Sequence, residues 1–190
     1  MTVEPQPPGL EAAMEIASRF LGTRPRSRWE VERRLRRAAA APDVVESTLA
    51  RLAALGYVDD MAFARWWLEQ RDRHAPRGRR MVEAELRQHG VGRDAIEALR
   101  DELATLEGAE PDRLAEGGDG TDDGHLLEGP LNEDERARIA LARHLRGRPL
   151  PEDRAAQQRI GMFLMRRGFD PETVRRAMRV AEDPEARDLD

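Results

Sequence analysis

The chain has 190 residues, enough for one domain or a short array of smaller units, and it contains no cysteine, which excludes disulfides and thiolate metal sites. All 32 basic residues are arginine, and the formal charge of −5 hides a basic body with acidic appendages. Residues 107–130 hold eight acids and one arginine, residues 182–190 five acids and one arginine, and the first eighteen residues three acids, so the remainder carries 30 arginines against 21 acids, about +9. The start, "MTVEPQPPGLEAAMEIASRF", has neither the basic region nor the apolar run of a signal peptide, and no apolar run approaches membrane-spanning length, so a soluble cytoplasmic protein is expected.

The periodicity is helical along nearly the whole chain, with no competing strand alternation. The stretch from Glu11 to Leu21 puts Ala13, Ala17, Phe20 and Leu21 on one face. Ser27 with Glu30 three residues on predicts a capped helix carrying Val31, Leu35 and Ala38. Pro42-Asp43 restarts a helix with the stripe Val45, Leu49, Leu52 and Leu55, closed by Gly56. Asp59 or Asp60 caps a helix with Phe63, Trp66 and Trp67, of which Trp67 is expected in the core. "PRGRRMVEAELRQHG" follows with Val82 and Leu86, then "GRDAIEALRDEL" with Ile96, Leu99, Leu103 and Leu106. Asn132 opens a helix showing Ile139, Ala142 and Leu145. "PEDRAAQQRIGMFLMRRG" starts with Pro in its first turn and shows Ile160, Phe163 and Leu164. "DPETVRRAMRV" closes with Val174, Ala177, Met178 and Ala181.

These helices are three copies of one three-helix unit. Leu35, Leu86 and Leu164 superpose, as do Val45, Ile96 and Val174 ten residues later. Copies two and three place Gly90 and Gly168 four residues after the shared leucine. Copy one has Ala39 and Ala40 there, which predicts a differently built turn. The copies lie 51 and then 78 residues apart, an excess of 27 that matches an acidic insertion. The expected organisation is a disordered segment over 1–10, repeat one over 11–56, repeat two over 57–106, a flexible acidic insertion over 107–130, repeat three over 131–181 and an acidic tail over 182–190. The fold class is all-α, an elongated curved array with a disordered insertion. "DGTDDG" in the insertion lacks the ligand spacing of a calcium loop.

Asp59 and Asp60 could be paired carboxylates for acid–base work or magnesium, but residue type and position fit a helix cap better. His74, His89, His125 and His144 form no ligand spacing, and no P-loop or GxSxG motif is present. No catalytic, cofactor or metal set emerges, so an enzyme is not expected. The arginines carry weight as a set. Arg24, Arg26 and Arg28 lead into Arg33, Arg34, Arg36 and Arg37; Arg71, Arg73, Arg77, Arg79 and Arg80 surround the next inter-helix turn; Arg143, Arg146, Arg148 and Arg154 do so in the third unit. Any one is a solvated charge by default. Their recurrence suggests a basic stripe able to follow a phosphate backbone or an acidic groove. Leaving out Arg36 and Arg154 and adding Arg65 and Trp66 on the rim of the aromatic helix gives the candidate contact residues.

"LGYVDD" with Phe63 and Ala64, "GRRMVEAELRQHGV", and "RRGFD" with "ETVRRAM" together resemble the RecX regulatory proteins of bacteria, from about Ala12 to Val180 apart from the insertion. The resemblance implies three tandem three-helix repeats and a regulator that lies along the RecA–DNA filament, limits its growth and inhibits ATP hydrolysis and strand exchange. It also implies, for some members, binding to single- or double-stranded DNA. No cofactor is implied, and a monomer is expected. The shared positions fall on Leu55, Gly56, Tyr57, Asp59, Asp60, Phe63 and Ala64; on Gly78, Arg80, Glu85, Leu86 and Gly90; and on Arg167, Gly168, Phe169 and Val174. Most of these read as fold determinants. The alternative function is a sequence-independent DNA-binding protein that competes with RecA for DNA.

Overall fold

A computed structural model describes residues 7–108 and 131–182. Over these residues the chain is all-α: α1 Leu10–Leu21, α2 Arg28–Arg37, α3 Pro42–Ala54, α4 Asp60–His74, α5 Arg79–Gln88, α6 Arg93–Gly108, α7 Glu133–Leu145, α8 Arg154–Arg166 and α9 Pro171–Glu182. They form three successive three-helix repeats, with α6 running on through Gly108. Most of the expected insertion, the acidic tail beyond Glu182, the first six residues, His125 and the "DGTDDG" stretch lie outside the described residues. The fold separates into two compact units. One comprises the chain up to Trp67 with Glu85–Leu99; the other comprises Leu68–Ala84 with Arg100 onward, so repeat two contributes to both.

In the first unit, α1, α2 and α3 bury Ala13, Ala17, Val31, Leu35, Val45, Leu49 and Leu52, with Ala40 and Val58 from the turns. The small Ala13 and Ala17 let α1 approach closely, and Leu35 fills the centre at zero exposure. Burying a side chain of that size contributes about 1.5–3 kcal/mol. Ser27 caps α2 by accepting the Glu30 N–H while Glu30 accepts the Ser27 N–H, the expected capping box. Pro42 stands at the start of α3, where its missing N–H costs nothing. In the second unit, Ala137, Ala140, Leu141, Ile160, Leu164, Phe169, Val174 and Ala177 form the core of α7, α8 and α9. Asn132 and Glu135 build the same box on α7.

Several expectations need correction. The first inter-helix turn is built like the other two. Ala39 takes φ +59°, in register with Gly90 at +73° and Gly168 at +91°. Its N–H donates to the Arg36 carbonyl (3.0 Å) and the Ala40 N–H to the Leu35 carbonyl (3.2 Å), as Val91 does to Leu86 and Phe169 to Leu164. The same two bonds hold alanine in a conformation that costs an L-residue about 1–2 kcal/mol. Helix α8 begins at Arg154, not at Pro151: Asp153 accepts the Ala155 and Ala156 N–H groups and leaves the proline outside. The buried face of α7 is Ala137, Ala140 and Leu141 rather than Ile139 and Ala142, because it also carries a buried, ion-paired Arg136. Leu55, read as the end of the α3 stripe, is 56% exposed in the turn that follows.

Candidate functional site

The two acids of the aromatic helix cap two different helices. Asp59 Oδ1 accepts the N–H groups of Met61 (2.8 Å) and Ala62 (3.1 Å), opening α4, while Asp60 Oδ1 accepts the first N–H of α2, at Arg28 (2.8 Å). Both carboxylates are thereby committed to helix N-termini. No group of three or more Asp, Glu or His among the described residues is placed to hold a metal.

Phe63, Trp66, Trp67 and His89 form one aromatic cluster in the first unit. The Phe63 and Trp67 rings stack 6.1 Å apart at 25°, and His89 lies 4.3 Å from Trp67. Trp67 is half-buried rather than core, because its indole N–H reaches the Glu85 carboxylate (2.9 Å). Trp66 is also half-buried, with the Arg24 guanidinium 5.6 Å over its ring. Glu30 gathers the charges beside this cluster: it pairs with Arg24 (2.8 Å) and Arg26 (3.9 Å) and meets His89 Nδ1 (3.3 Å). Arg26 lies over Phe20 and donates to Thr23. Burial, then the neighbouring Arg24, lowers its pKa, with Glu30 opposing. Arg24 and Arg26 are therefore tied to the fold of repeat one. Arg65 lies on the exposed side of α4.

Arg28, Arg33, Arg34 and Arg37 do stand exposed on α2. With them stands a residue that the sequence reading passed over, Trp29, 39% exposed and capped by the Arg33 guanidinium 5.0 Å from its ring. The signal was available. At 100° per residue, Trp29 falls about 160° from Val31 and about 120° from Leu35, away from the core stripe.

The second unit brings two of the predicted arginine groups together. Arg143 Nη2 donates to the Arg73 carbonyl (3.1 Å), and Arg167 Nη1 donates to the Pro76 carbonyl (3.4 Å). Both guanidiniums are thus drawn to the segment that carries Arg73 and Arg77. Arg167 also lies 4.7 Å over Phe163, against whose ring the His144 ring stacks at 3.9 Å. Burial and then the nearness of Arg77 and Arg143 lower the Arg167 pKa. Like charges held this close raise the local positive potential and favour an anionic partner. Arg167, one of the positions shared with the family, joins this cluster. Arg71 is half-buried in α4. Arg146, at φ +52°, and Arg148 stand exposed past α7.

Arg79 and Arg80 border a different hollow, of about 400 Å³, with Glu133, Asp134, Asp170 and Arg176. Its acids are already engaged. Glu133 accepts the Arg79 N–H (2.9 Å), Asp134 pairs with Arg176 (2.9 Å), and Asp170 caps α9 through Glu172 and Thr173. Burial opposes ionisation of Asp170, but the hydrogen bonds from the Thr173 side chain and backbone outweigh it, so its pKa is lowered. This is a junction of helix caps rather than a catalytic pair.

The sequence matches the family descriptions "RecX, first three-helix domain" over residues 13–52, "RecX, second three-helix domain" over 59–99 and "RecX, third three-helix domain" over 132–178. It is 32% identical over 195 residues to the regulatory protein RecX of Thermobifida fusca strain YX, covering 97% of this chain and 90% of that one. It is 38% identical over 109 residues to the regulatory protein RecX of Mycobacterium avium strain 104, a match covering 57% of this chain and 61% of that relative. The crystal structure of RecX from Lactobacillus salivarius superposes with a TM-score of 0.67 over 91% of this chain and 96% of that one, at 17% identity, a likeness of fold. No helix among the described residues is long and apolar enough to cross a membrane.

Proposed function

The chain belongs to the RecX family of regulatory proteins, and from that premise we propose that it binds the RecA–DNA filament and restrains RecA's recombinase and ATPase activities. It acts in the cytoplasm, as a monomer, by non-covalent contact in the filament groove or at the growing end, and not by catalysis. The observation that carries this reading is the guanidinium cluster of the second unit. Arg143 and Arg167 are fastened to the backbone of the segment carrying Arg73 and Arg77, beside the stacked Phe163 and His144. A fixed cationic patch with an aromatic floor suits an anionic groove, and arginine's planar fork makes bidentate contacts to carboxylate or phosphate.

Co-sedimentation with preformed RecA filaments tests it. The double variant Arg77→Ala/Arg143→Ala is expected to weaken binding about tenfold or more, as losing two charge-assisted contacts does. Arg146→Ala/Arg148→Ala, which removes the same charge outside the cluster, is expected to change it about twofold at most. Equal losses from the two pairs would make the effect one of net charge and sink the assignment. A second reading, a sequence-independent DNA-binding protein that competes with RecA for DNA, is favoured by the exposed arginines of α2.

A further inference from the structure

We infer that the outer face of α2 is a single-strand nucleic-acid subsite in which Trp29 stacks on an unpaired base while Arg33, Arg36 and Arg37 hold the flanking phosphates. This deepens the second reading above by naming its site and the state of its ligand. Trp29, Arg33, Arg36 and Arg37 recur at helical spacing, so they share one stripe of α2, opposite the buried Val31 and Leu35. They line a groove of about 310 Å³. The one acid that lines it among the described residues, Glu32, is paired with Arg36.

The indole is exposed yet held. A methyl group on Gly90 would lie 2.4 Å from both Cβ and Cγ of Trp29, so the root of the side chain sits against the turn after α5 and cannot swing toward it. Its ring is already covered by a planar cation, the Arg33 guanidinium at 5.0 Å. A nucleobase is a planar group that this face accepts in the same way, with the displaced guanidinium free to meet the adjoining phosphate. Duplex DNA offers no open base face to such a ring. A protein partner is disfavoured by the surroundings. The interior of a protein interface is depleted of charge, whereas here one apolar residue is enclosed by four charged ones.

The test uses the full chain and two labelled probes of about 12 nucleotides, oligo(dT) and an abasic strand with the same phosphates, followed by fluorescence anisotropy. The wild type is expected to prefer oligo(dT) by about tenfold, the scale of one base–aromatic stack. Trp29→Ala is expected to bind both probes equally, at the abasic level. Trp29→Phe, which keeps the root against Gly90, is expected to retain most of the preference, and circular dichroism melts check that both variants fold. Arg33→Gln/Arg37→Gln is expected to weaken both probes alike and to flatten the dependence on salt. A wild type indifferent to the bases, or a folded Trp29→Ala that still prefers oligo(dT), overturns the inference. So does loss of filament binding by Trp29→Ala with oligo(dT) binding unchanged, which would make the α2 face a protein surface. Failure of the filament reading appears elsewhere, as unchanged co-sedimentation of the Arg77→Ala/Arg143→Ala variant.

Discussion

Replacing Arg136 with methionine is expected to destabilise the fold by about 3–5 kcal/mol in urea unfolding at neutral pH. Arg136 is 1% exposed, and the two acids it serves, Asp72 and Glu133, are 7% and 8% exposed. Its Nε donates to Asp72 Oδ1 at 2.9 Å, and its Nη1 reaches Glu133 at 3.5 Å. Removing the guanidinium takes the paired cation away from two carboxylates in a poorly solvated place. The arrangement is imperfect even when intact. Among the described residues Asp72 Oδ2 and Arg136 Nη2 have no hydrogen-bond partner, and burial raises the Asp72 pKa despite the opposing Arg136. The sign of the pH dependence follows. A carboxyl whose folded pKa lies above its unfolded one contributes stability that is complete below the unfolded value and lost as pH rises through the folded value. Without Arg136 that pKa moves higher still, so the loss should be smaller at pH 5 than at pH 8. Adding Asp72→Asn should restore part of it. A loss under about 1 kcal/mol, the scale of an exposed pair, or one equal at both pH values, would show that these charges are not buried as described.

Gly78→Ala is expected to lower stability by about 3 kcal/mol, the upper end of overpacking, because the atoms it meets are backbone. A Cβ on Gly78 would lie 2.2 Å from the Gly168 carbonyl carbon and 2.3 Å from its oxygen and from the Phe169 nitrogen. The Gly78 N–H donates to the Arg167 carbonyl at 2.9 Å, so the two turns are fastened where they touch. Gly168 is constrained from its own side: at φ +91° its Cβ would come within 2.6 Å of Met81. No rotamer relieves such a contact, and the segment must move. That movement would carry the Pro76 carbonyl away from Arg167 and loosen the guanidinium cluster. Gly92→Ala is the control, since no atom of the described residues lies within 4 Å of a Cβ there. Comparable losses from the two substitutions would contradict the close approach.

Most of the fold was legible in the sequence because its determinants are local. Ser27 with Glu30, Asn132 with Glu135, Pro42 at a first turn and the leucines ten residues before Val45, Ile96 and Val174 all act within a few residues of themselves. What the sequence concealed depends on distant partners. Arg136 reads as a solvated arginine inside an apolar stripe until Asp72, 64 residues away, is placed beside it. Ala39 reads as a departure because composition alone does not reveal that the turn's hydrogen bonds hold a left-handed alanine. The candidate site was half legible. Arg73, Arg77 and Arg143 stand out by their recurrence, and folding brings Arg143 against the segment that carries the other two. Arg24 and Arg26 were chosen for the same reason, and folding gives them to Glu30. Charge runs do not show which member meets an acid of its own chain. Trp29 is a lone aromatic in a run of arginines, and only its helical angle, away from Val31 and Leu35, marks it as outward-facing.

The measurement that bears most directly on the proposed function is RecA's ATP hydrolysis on single-stranded DNA as this protein is titrated in, with binding to preformed filaments followed in parallel. Inhibition is expected at well under about one copy per RecA, since a few molecules fixed along or at the end of a filament act on many subunits, and weaker inhibition is expected from Arg77→Ala/Arg143→Ala. Inhibition that begins only once the protein saturates free DNA, with no binding to filaments already formed, would contradict it and leave competition for DNA as the function.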